Sequence, residues 1–436
     1  MRPTLRAVLL FLAGGPVALL CALIKPELWT MWLGLLGGSL ILVAFDWLLS
    51  IPRRRLRLEF ELPDSLFIGA SHDMALRIIT KGWKRPIKFD LIVDLGEKLL
   101  PIPMLTHTLE PGDTEPLHIV LKPTRRGNAI VENINLRWVG PLGLTSRQLR
   151  KTVDASIAVV PNISAVRTAA IRFFSRDSQF GTKIDKKRGE GSEFDALREY
   201  VVGMDHRAID WKHSARHRRL VAKEFRSERN HPVVLALDTG HLMSQPIADV
   251  PKLDHAINSA LMLGYIALRT GDRVSMFAFD ERVRSFTKPQ GGVRTFDRIL
   301  RQSSDLEYRS TETNFTLGLA ELATRLNRRS LIVLFTDFVD TITAELMLEN
   351  VQRLVRKHLV VFVASQDPTL SEMALSEPMT MTDMHSAVIA ANLVHERELV
   401  MQRLKRLGVH CLDVHPGQVS TSLVNNYLDI KRRELL

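Results

Sequence analysis

The chain has 436 residues, and its 59 Lys plus Arg against 48 Asp plus Glu give a formal net charge of +11. At roughly 100 to 200 residues per domain this length allows several structural units, and 45% apolar with 25% charged residues is ordinary globular composition, which excludes disordered and collagen-like classes. Only Cys21 and Cys411 are present, so a disulfide framework and a multi-cysteine zinc site are excluded too.

The chain opens with two uncharged apolar runs, residues 7–24 and 28–45, joined by Lys25-Pro26-Glu27. About 20 apolar residues span the ~30 Å hydrocarbon core of a membrane, and the second run reaches further if Asp46 lies at the interface. A cleaved signal peptide would need a small-residue cleavage site, but here the first run leads straight into the second. We predict a transmembrane hairpin in residues 1–52, with helices at 7–24 and 28–49.

Basic residues flank this hairpin on one side only. They are Arg2, Arg6, Arg53, Arg54, Arg55 and Arg57. The positive-inside rule then predicts an inner (cytoplasmic) membrane protein with both termini and the soluble domains in the cytoplasm. Residues 1–57 hold seven Lys or Arg and two acids, a net +5, so the other 379 residues carry only +6. Nearly half of the excess charge is therefore a topology signal, and the basic cluster can also contact anionic lipid head groups.

Residues 53–160 are predicted to form a β-rich, sandwich-like unit. Short runs alternate apolar and polar residues, turn sequences such as Arg126-Gly127-Asn128 separate them, and no helix-period segment intervenes. The predicted strands are 56–62, 74–80, 87–95, 117–123 and 134–140. A small antiparallel sandwich fits this pattern best.

Residues 161–231 form a charged connecting segment. Within 186–231 there are 12 Lys or Arg and 8 Asp or Glu, interleaved with Phe194, Tyr200 and Trp211. Because the two signs alternate instead of segregating, the pattern favours ion pairs at a domain junction over a nucleic-acid surface.

Residues 232–436 change to an alternation of strands and helices. The runs 233–238, 330–338 and 359–365 are apolar throughout, as expected for strands that are buried on both faces. Further strands are predicted at 273–280, 282–288 and 410–414, and helices at 252–271, 291–303, 313–327, 341–358, 386–407 and 419–434. This order indicates the doubly wound α/β class, with helices on both sides of a parallel sheet.

Two of the buried strands end in aspartate, Asp238 and Asp337, and Thr313 opens the helix that leads to the second of them. Ligands of such sheets bind beyond the carboxyl ends of the strands, and oxygen ligands from separate loops suit Mg²⁺ or Mn²⁺. A structural interpretation is also open: Thr313 can cap its helix, and the two aspartates can accept hydrogen bonds from loop amides.

The stretch 189–216, GEGSEFDALREYVVGMDHRAIDWKHSAR, resembles the signature of the "domain of unknown function 58" family. Upstream, Arg126-Gly127 and Gly140-Pro-Leu-Gly-Leu144 resemble the R-G and D-P-x-G-L elements of that family, with Gly140 where Asp is usual. The resemblance covers essentially the whole chain. It implies a membrane-anchored bacterial protein with a von Willebrand factor A-like domain in residues 232–436.

The A-domain resemblance also implies a metal-ion-dependent adhesion site, whose pattern is D-x-S-x-S, then a Thr, then a second Asp. Asp238, Thr313 and Asp337 match this pattern, whereas Gly240 and Leu242 replace the two serines. Loss of two hydroxyl ligands weakens binding of a hard cation. We therefore expect a degenerate site that holds Mg²⁺ or Mn²⁺ weakly or not at all.

The signature itself combines charges of both signs with aromatic side chains. Its candidate residues are Glu193, Phe194, Arg198, Tyr200, Asp205, Arg207, Asp210, Trp211, Lys212 and Arg216. One interpretation is a domain junction whose charge pairs fix geometry. The other is a partner-binding face rich in Arg, Tyr and Trp.

Three functions follow as hypotheses. The first is a non-enzymatic, membrane-anchored interaction or scaffold protein; the resemblance implies that its partner is a MoxR-type AAA+ ATPase in a chaperone-like or envelope-related pathway. The second is a metal-dependent hydrolase that uses Asp238 and Asp337, for which the sequence offers no specific general base. The third is nucleic-acid binding, which the alternating charges disfavour. Gly291-Gly292 lacks the Lys-Ser/Thr of a phosphate-binding loop, so ATP hydrolysis by this chain is not expected.

Overall fold

The computed structural model describes residues 2–24, 29–113, 115–162, 168, 188–201, 205–226, 230–247, 249–339, 341–377 and 379–436. The chain divides into two compact units, Met1–Val160 and Pro161–Leu436. The predicted hairpin and β-rich segment fall in the first unit, and the charged segment and the α/β segment fall in the second. The finer, four-part division stays a prediction.

Two apolar helices open the first unit, α1 (Leu5–Ile24) and α2 (Trp29–Leu49). They occupy the two uncharged runs of the sequence. Among the described residues, one helical stretch, Leu36–Arg55, is long and apolar enough to cross a membrane, and Leu5–Pro16 is a shorter apolar helix. Two membrane spans therefore stay a prediction.

The first unit continues as strands. These are β1 (Arg2–Pro3), β2 (Leu56–Glu61), β3 (Ser65–Phe67), β4 (His72–Thr80), β5 (Ile87–Leu95), β6 (Leu105–Leu109), β7 (Leu117–Leu121), β8 (Gly127–Val139) and β9 (Thr145–Val160). One sheet has the order β1-β9-β8-β5-β6 with β3 beside β9, and a second has the order β2-β4-β7. All pairs are antiparallel except β3 with β9. Buried and exposed positions alternate along β4 and β5, as the period-two pattern predicts.

Strand β9 is the longest strand of this unit, and the sequence pattern did not predict it. Its inward positions include Arg147 and Lys151, whose aliphatic stems lie partly buried while their charged ends find partners. Lys151 Nζ donates to the carbonyl of Leu58 at 2.6 Å and lies over the Phe60 ring at 4.8 Å. Basic residues at these positions hide the apolar alternation that identifies a strand.

Asp46, near the end of α2, is completely buried inside the loop between β8 and β9. Its carboxylate accepts hydrogen bonds from the backbone N–H groups of Leu142, Leu144 and Thr145 at 2.6, 3.0 and 2.7 Å. The Thr145 hydroxyl donates a fourth, at 2.8 Å. We call this arrangement the Asp46 nest, because successive backbone amides surround one anion.

Gly140 makes the Asp46 nest possible. A Cβ at this position would overlap the carboxyl group of Asp46, so any side chain there would displace it. This explains in physical terms why glycine stands where the D-P-x-G-L pattern has Asp: a carboxylate from α2 lies where a side chain of residue 140 would begin.

Further contacts join the end of α2 to the strands. The Trp138 indole donates to the carbonyl of Ile51 at 3.2 Å, and Arg147 donates to the carbonyl of Trp47 at 2.7 Å. The Arg147 guanidinium also lies 5.0 Å from the centre of the Trp47 ring. Helix α2 is therefore fixed to the β-rich part of its own unit by hydrogen bonds and by packing.

The second unit begins with a hairpin of β10 (Arg188–Glu199) and β11 (Val221–Arg226), with α3 (Trp211–His217) between them. Its main sheet contains β12 (Pro232–Asp238), β15 (Arg273–Phe279), β16 (Val283–Phe286), β17 (Leu331–Phe335), β18 (Leu359–Ser365) and β19 (His410–Val414). The short strands β13 (Pro246–Ile247) and β14 (Val250–Pro251) pair with each other. The helices are α4 (Lys252–Arg269), α5 (Val293–Ser304), α6 (Phe315–Arg325), α7 (Thr341–Val355), α8 (Pro368–Leu375), α9 (Met381–Arg406) and α10 (Val419–Arg432).

The main sheet has the order β16-β15-β12-β17-β18-β19 and is parallel except for β16. Successive residues of β12 point to opposite faces. Val233 and Leu235 join a core with α4, α5 and α10, and Val234 and Ala236 join another core with α6, α7 and α9. The second unit is thus mixed α/β with a largely parallel sheet. Helix α8 was not predicted, because its eight residues are too few for a clear helical period.

Candidate functional site

Asp238 and Asp337 follow neighbouring parallel strands, β12 and β17, and therefore lie at the same edge of the sheet. The Thr313 hydroxyl donates to Asp238 Oδ1 at 2.7 Å, and the Thr336 hydroxyl donates to Asp238 Oδ2 at 2.5 Å. The backbone N–H of Gly240 donates to Asp238 Oδ1 at 2.8 Å. The structure thus brings Asp238 and Thr313 together by a direct hydrogen bond.

Asp238 is almost completely buried. Burial raises the pKa of its carboxyl group to about 6, although the hydrogen bonds from Thr336, Thr313 and Gly240 act in the opposite direction. Asp238 therefore gains a proton more readily than an ordinary aspartate.

Gly240 occupies the first serine position of the adhesion-site pattern for a steric reason. A Cβ at Gly240 would overlap the Thr313 hydroxyl and would lie 3.1 Å from Asp238 Oδ1. A serine there would separate Thr313 from Asp238. The missing hydroxyl is thus linked to the direct contact between the other two residues.

Asp337 has different partners. Lys252 Nζ lies 2.7 Å from its Oδ2, and Arg397 Nη1 donates to its Oδ1 at 2.7 Å. Burial by itself would raise the pKa of Asp337, but the charges of Arg397 and Lys252 outweigh burial and hold the pKa below its usual value. Asp337 is consequently a buried anion with a cation on each oxygen.

Arg397 extends this cluster toward β19. Its Nη2 donates to Asp413 Oδ1 at 2.9 Å and to the carbonyl of Ser365 at 3.1 Å, and its guanidinium lies 5.3 Å from the centre of the Phe338 ring. Burial lowers the pKa of Arg397, but Asp337 and Asp413 together raise it above its usual value. We call Lys252, Asp337, Arg397 and Asp413 the charged cluster.

The charged cluster bears on the metal that the adhesion-site resemblance implies. A divalent cation needs several oxygen ligands with free lone pairs, whereas the Asp337 oxygens already face two cations and the Asp238 oxygens accept from two hydroxyls and an amide. Within the part of the chain that the structure describes, no group of three or more His, Cys, Asp or Glu could hold a metal ion. These residues do not fit Mg²⁺ or Mn²⁺.

A cavity of about 410 Å³ opens beside the charged cluster. Its floor includes Lys252, Asp337 and Arg397, and its walls include Val339 and Leu370 from the segments after β17 and β18. The cavity therefore combines fixed charges with apolar surface, a combination that suits recognition of another molecule.

Asp210 is buried, which distinguishes it from the other candidate residues of the signature whose side chains the structure describes. It caps α3 by accepting from the backbone N–H groups of Lys212 and His213 at 3.1 and 3.2 Å. The His213 ring, at 2.9 Å, is the main cause that lowers the pKa of Asp210 to about 2, and Lys223 Nζ at 3.3 Å contributes. The buried aspartate in the signature is thus a helix cap and an ion-pair centre.

The other signature residues are more exposed. Trp211 is 69% exposed, and Arg198, Asp205, Lys212 and Arg216 are exposed as well. Tyr200 is half-buried, and its N–H donates to the carbonyl of Leu220 at 2.8 Å. Glu193 and Phe194 pair with β11 through their backbones, but their side chains and that of Arg207 lie outside the described part. A junction role and a partner-binding role for the signature both stay predictions.

Sequence reasoning missed Lys252, Arg397 and Thr336. A signal existed for Arg397, because it lies seven residues after Ala390 and seven before Leu404, which are buried on the same face of α9. A lone charge on an apolar helical face indicates a buried partner. Lys252 gave no comparable signal, since it stands at the first position of its helix.

Residues 196–403 match the model of the family described as "Protein of unknown function DUF58". Among solved structures, similarity extends to the RO (RSR) protein of Deinococcus radiodurans, at 16% identity and a TM-score of 0.21, over 39% of this chain and 40% of that one. The chain thus spans about two fifths of the length of that protein. An uncharacterized membrane-spanning protein from Vibrio fischeri matches at 12% identity and a TM-score of 0.16, over 46% of this chain and 98% of its own. No curated protein matches.

Proposed function

The chain belongs to the DUF58 family, and from this premise we propose that it is a non-enzymatic, membrane-anchored docking protein. Its second unit binds a partner at the carboxyl edge of the sheet, and the partner is a MoxR-type AAA+ ATPase in a chaperone-like or envelope-related pathway. The ATPase supplies the energy, and this chain supplies the attachment to the membrane and the binding surface.

The observation that carries the proposal is the charged cluster on the floor of the 410 Å³ cavity. Lys252 and Arg397 hold Asp337 at 2.7 Å each, so these side chains are fixed before any partner arrives. A preorganised site loses little conformational freedom on binding, which favours recognition. The same ion pairs engage both oxygens of Asp337, one of the two carboxylates that the hydrolase hypothesis needs.

The sheet order, with helices on both faces and one antiparallel edge strand, supports assignment of the second unit to the doubly wound, von Willebrand factor A-like class. In that class the carboxyl edge is the expected place for ligands. Here the positive charges of Lys252 and Arg397 balance the negative charge of Asp337, as a metal ion does in a complete adhesion site. Docking is therefore expected to be independent of Mg²⁺ and Mn²⁺.

The apolar helix α2 and the arginines that follow it support the location. We propose two membrane spans, α1 and α2, in the cytoplasmic membrane, with both soluble units in the cytoplasm. Arg53, Arg54 and Arg55 are exposed directly after α2, where they can contact anionic lipid head groups.

The test is affinity purification of the full chain from detergent-solubilised membranes in ATP, followed by mass spectrometry. We expect a MoxR-type ATPase in the eluate. When that ATPase is preloaded with a non-hydrolysable ATP analogue, its recovery should be the same in EDTA as in Mg²⁺. Recovery of no AAA+ ATPase would contradict the proposal.

A matched pair of variants localises the contact. Val339→Arg places a long cation at the cavity wall, and Val120→Arg makes the same change on β7 in the first unit; the two valines are 44% and 46% exposed. We expect Val339→Arg to abolish recovery of the ATPase and Val120→Arg to preserve it. Equal recovery with both variants would place the contact elsewhere.

A further inference from the structure

Helices α8 and α9 expose an apolar surface that the packing of the second unit does not use. Six side chains that are between 46% and 90% exposed contribute to it: Met373, Leu375, Met379, Met381, Met384 and Val388. We call them the methionine surface. Single exposed apolar residues are ordinary, but a run of this kind marks an interaction site.

The residues of this surface at the start of α9 share one helical face. Met381, Met384 and Val388 are spaced i, i+3 and i+7, whereas Ala390 and Met401, which are buried, lie on the opposite face. The exposed face is thus distinct from the face that packs on the sheet. Four of the six residues are methionines, whose flexible and polarisable side chains adapt to varied apolar partners.

The segment that carries the methionine surface has a net charge opposite in sign to that of the whole chain. Residues 359–396 contain five Asp or Glu and no Lys or Arg, in a protein with a net charge of +11. Asp367 and Asp383 are engaged in capping α8 and α9. Glu372 and Glu377 are exposed beside the methionines and are not needed for these caps.

This combination selects one class of partner. Anionic lipid head groups would be repelled by the acidic residues, so a membrane surface is disfavoured. A cationic amphipathic helix places apolar residues on the methionines and Lys or Arg against Glu372 and Glu377, as in other helix-in-groove recognition. We propose that the methionine surface of α8 and α9 is a docking site for a cationic amphipathic helix of a partner protein.

This proposal does not depend on the cavity or on the identity of the ATPase. The test uses the full chain in nanodiscs of zwitterionic lipid and, as the probe, a labelled 18-residue Leu/Lys amphipathic peptide, followed by fluorescence anisotropy with empty nanodiscs subtracted. Met381→Ser/Met384→Ser should weaken binding about tenfold or more, since the variant removes two large apolar contacts. Glu372→Lys/Glu377→Lys should weaken it to a similar degree.

Matched controls lie in the first unit. Val120→Ser/Ile130→Ser removes two apolar side chains of similar exposure, and Glu59→Lys/Glu61→Lys reverses two exposed charges. Both controls should bind the peptide like the unaltered chain. Thermal melting of every variant checks that the exposed substitutions leave the fold intact.

Three results would overturn the proposal. The first is equal binding of the peptide by all variants. The second is a loss of binding only in the charge-reversal variant, which indicates non-specific attraction. The third is flotation of the chain in nanodiscs together with anionic vesicles, if the methionine variant abolishes this flotation. Because no ATPase is present, failure here leaves the proposed function standing, and failure of the ATPase purification leaves this result standing.

Discussion

The two units each bury an aspartate, and the two carboxylates are stabilised in opposite ways. Asp46 in the first unit accepts from three backbone amides and one hydroxyl, all neutral donors. Asp337 in the second unit is held between two cations, Lys252 and Arg397. Donors fixed by the backbone impose one geometry on a loop, whereas the ion pairs hold charged side chains in place beside an open cavity. The comparison gives Asp46 a structural role, whereas the role that we propose for Asp337 is recognition.

Removal of the Asp337 carboxylate should have the largest effect on stability. Asp337→Ala leaves the partly buried Lys252 without an anion and Arg397 with Asp413 alone, which should cost about 3 to 5 kcal/mol of unfolding free energy. Urea unfolding of the full chain in detergent, followed by helical circular dichroism, measures this. Glu345→Ala removes an exposed partner of Arg403 and should cost less than about 1 kcal/mol. Similar losses in both variants would argue against a coupled cluster.

Asp46→Ala should have the next largest effect. It leaves three buried amides and the Thr145 hydroxyl without their acceptor, which should cost about 3 kcal/mol. Trp47 and Trp138 lie near the nest, so their fluorescence during urea unfolding reports on this unit. Asp64→Ala, at an exposed turn, is the control and should be nearly neutral. If the Asp46→Ala variant is as stable as the control, the Asp46 nest does not stabilise the fold.

Gly140→Ala should destabilise the first unit by about 1 to 3 kcal/mol, because its Cβ overlaps the Asp46 carboxylate. Gly37→Ala on α2 meets no atom within 4 Å and is the matched control. In the Asp46→Ala background, Gly140→Asp should restore part of the lost stability by supplying a carboxylate from the loop itself. The same fluorescence measurement shows whether the two changes compensate or simply add.

The smallest expected effect is a pH dependence of the unfolding free energy, and its sign differs between Asp238 and Asp337. The folded state binds a proton at Asp238 with a pKa of about 6, above the unfolded value, so this group stabilises the fold at low pH and its contribution is lost as the pH rises through 6. Between pH 5 and pH 7 the loss should be about 1 kcal/mol. The lowered pKa of Asp337 has the opposite sign: its contribution is present above the usual pKa of an aspartate and is lost as the pH falls through the lowered pKa.

Asp238→Asn isolates this effect, because a neutral amide does not titrate. The difference in unfolding free energy between the unaltered chain and the variant should change by about 1 kcal/mol from pH 5 to pH 7. A difference that is constant across this range would contradict the raised pKa of Asp238.

Much of the second unit could be predicted from sequence, because strands buried on both faces give continuous apolar runs and helices give a clear period. The placement of Asp238 and Asp337 at one edge could be predicted as well, since neighbouring parallel strands end at the same edge. The hairpin of β10 and β11 could not be, because its sequence is rich in charged residues and shows no apolar alternation. In β9, likewise, the inward stems of Arg147 and Lys151 look polar in sequence.

The partners of Asp46 and Asp337 were beyond prediction for another reason. Both depend on contacts between distant segments, 96 to 99 residues apart for Asp46 and 60 for Arg397 with Asp337. No local pattern encodes such pairs. The sequence placed Asp46 only near a membrane interface, and only the fold shows that the loop between β8 and β9 supplies its donors.

The Asp46 nest has a mechanical consequence. Helix α2 ends at Leu49 and β2 begins at Leu56, so only a short linker separates the proposed membrane span from the strands of the first unit. With the loop after β8 closed on Asp46, a pull on the β-rich part is transmitted to α2 through several hydrogen bonds loaded together. If α2 spans the bilayer as we propose, its tilt sets the orientation of the strands of the first unit, because the helix is held rigidly to them.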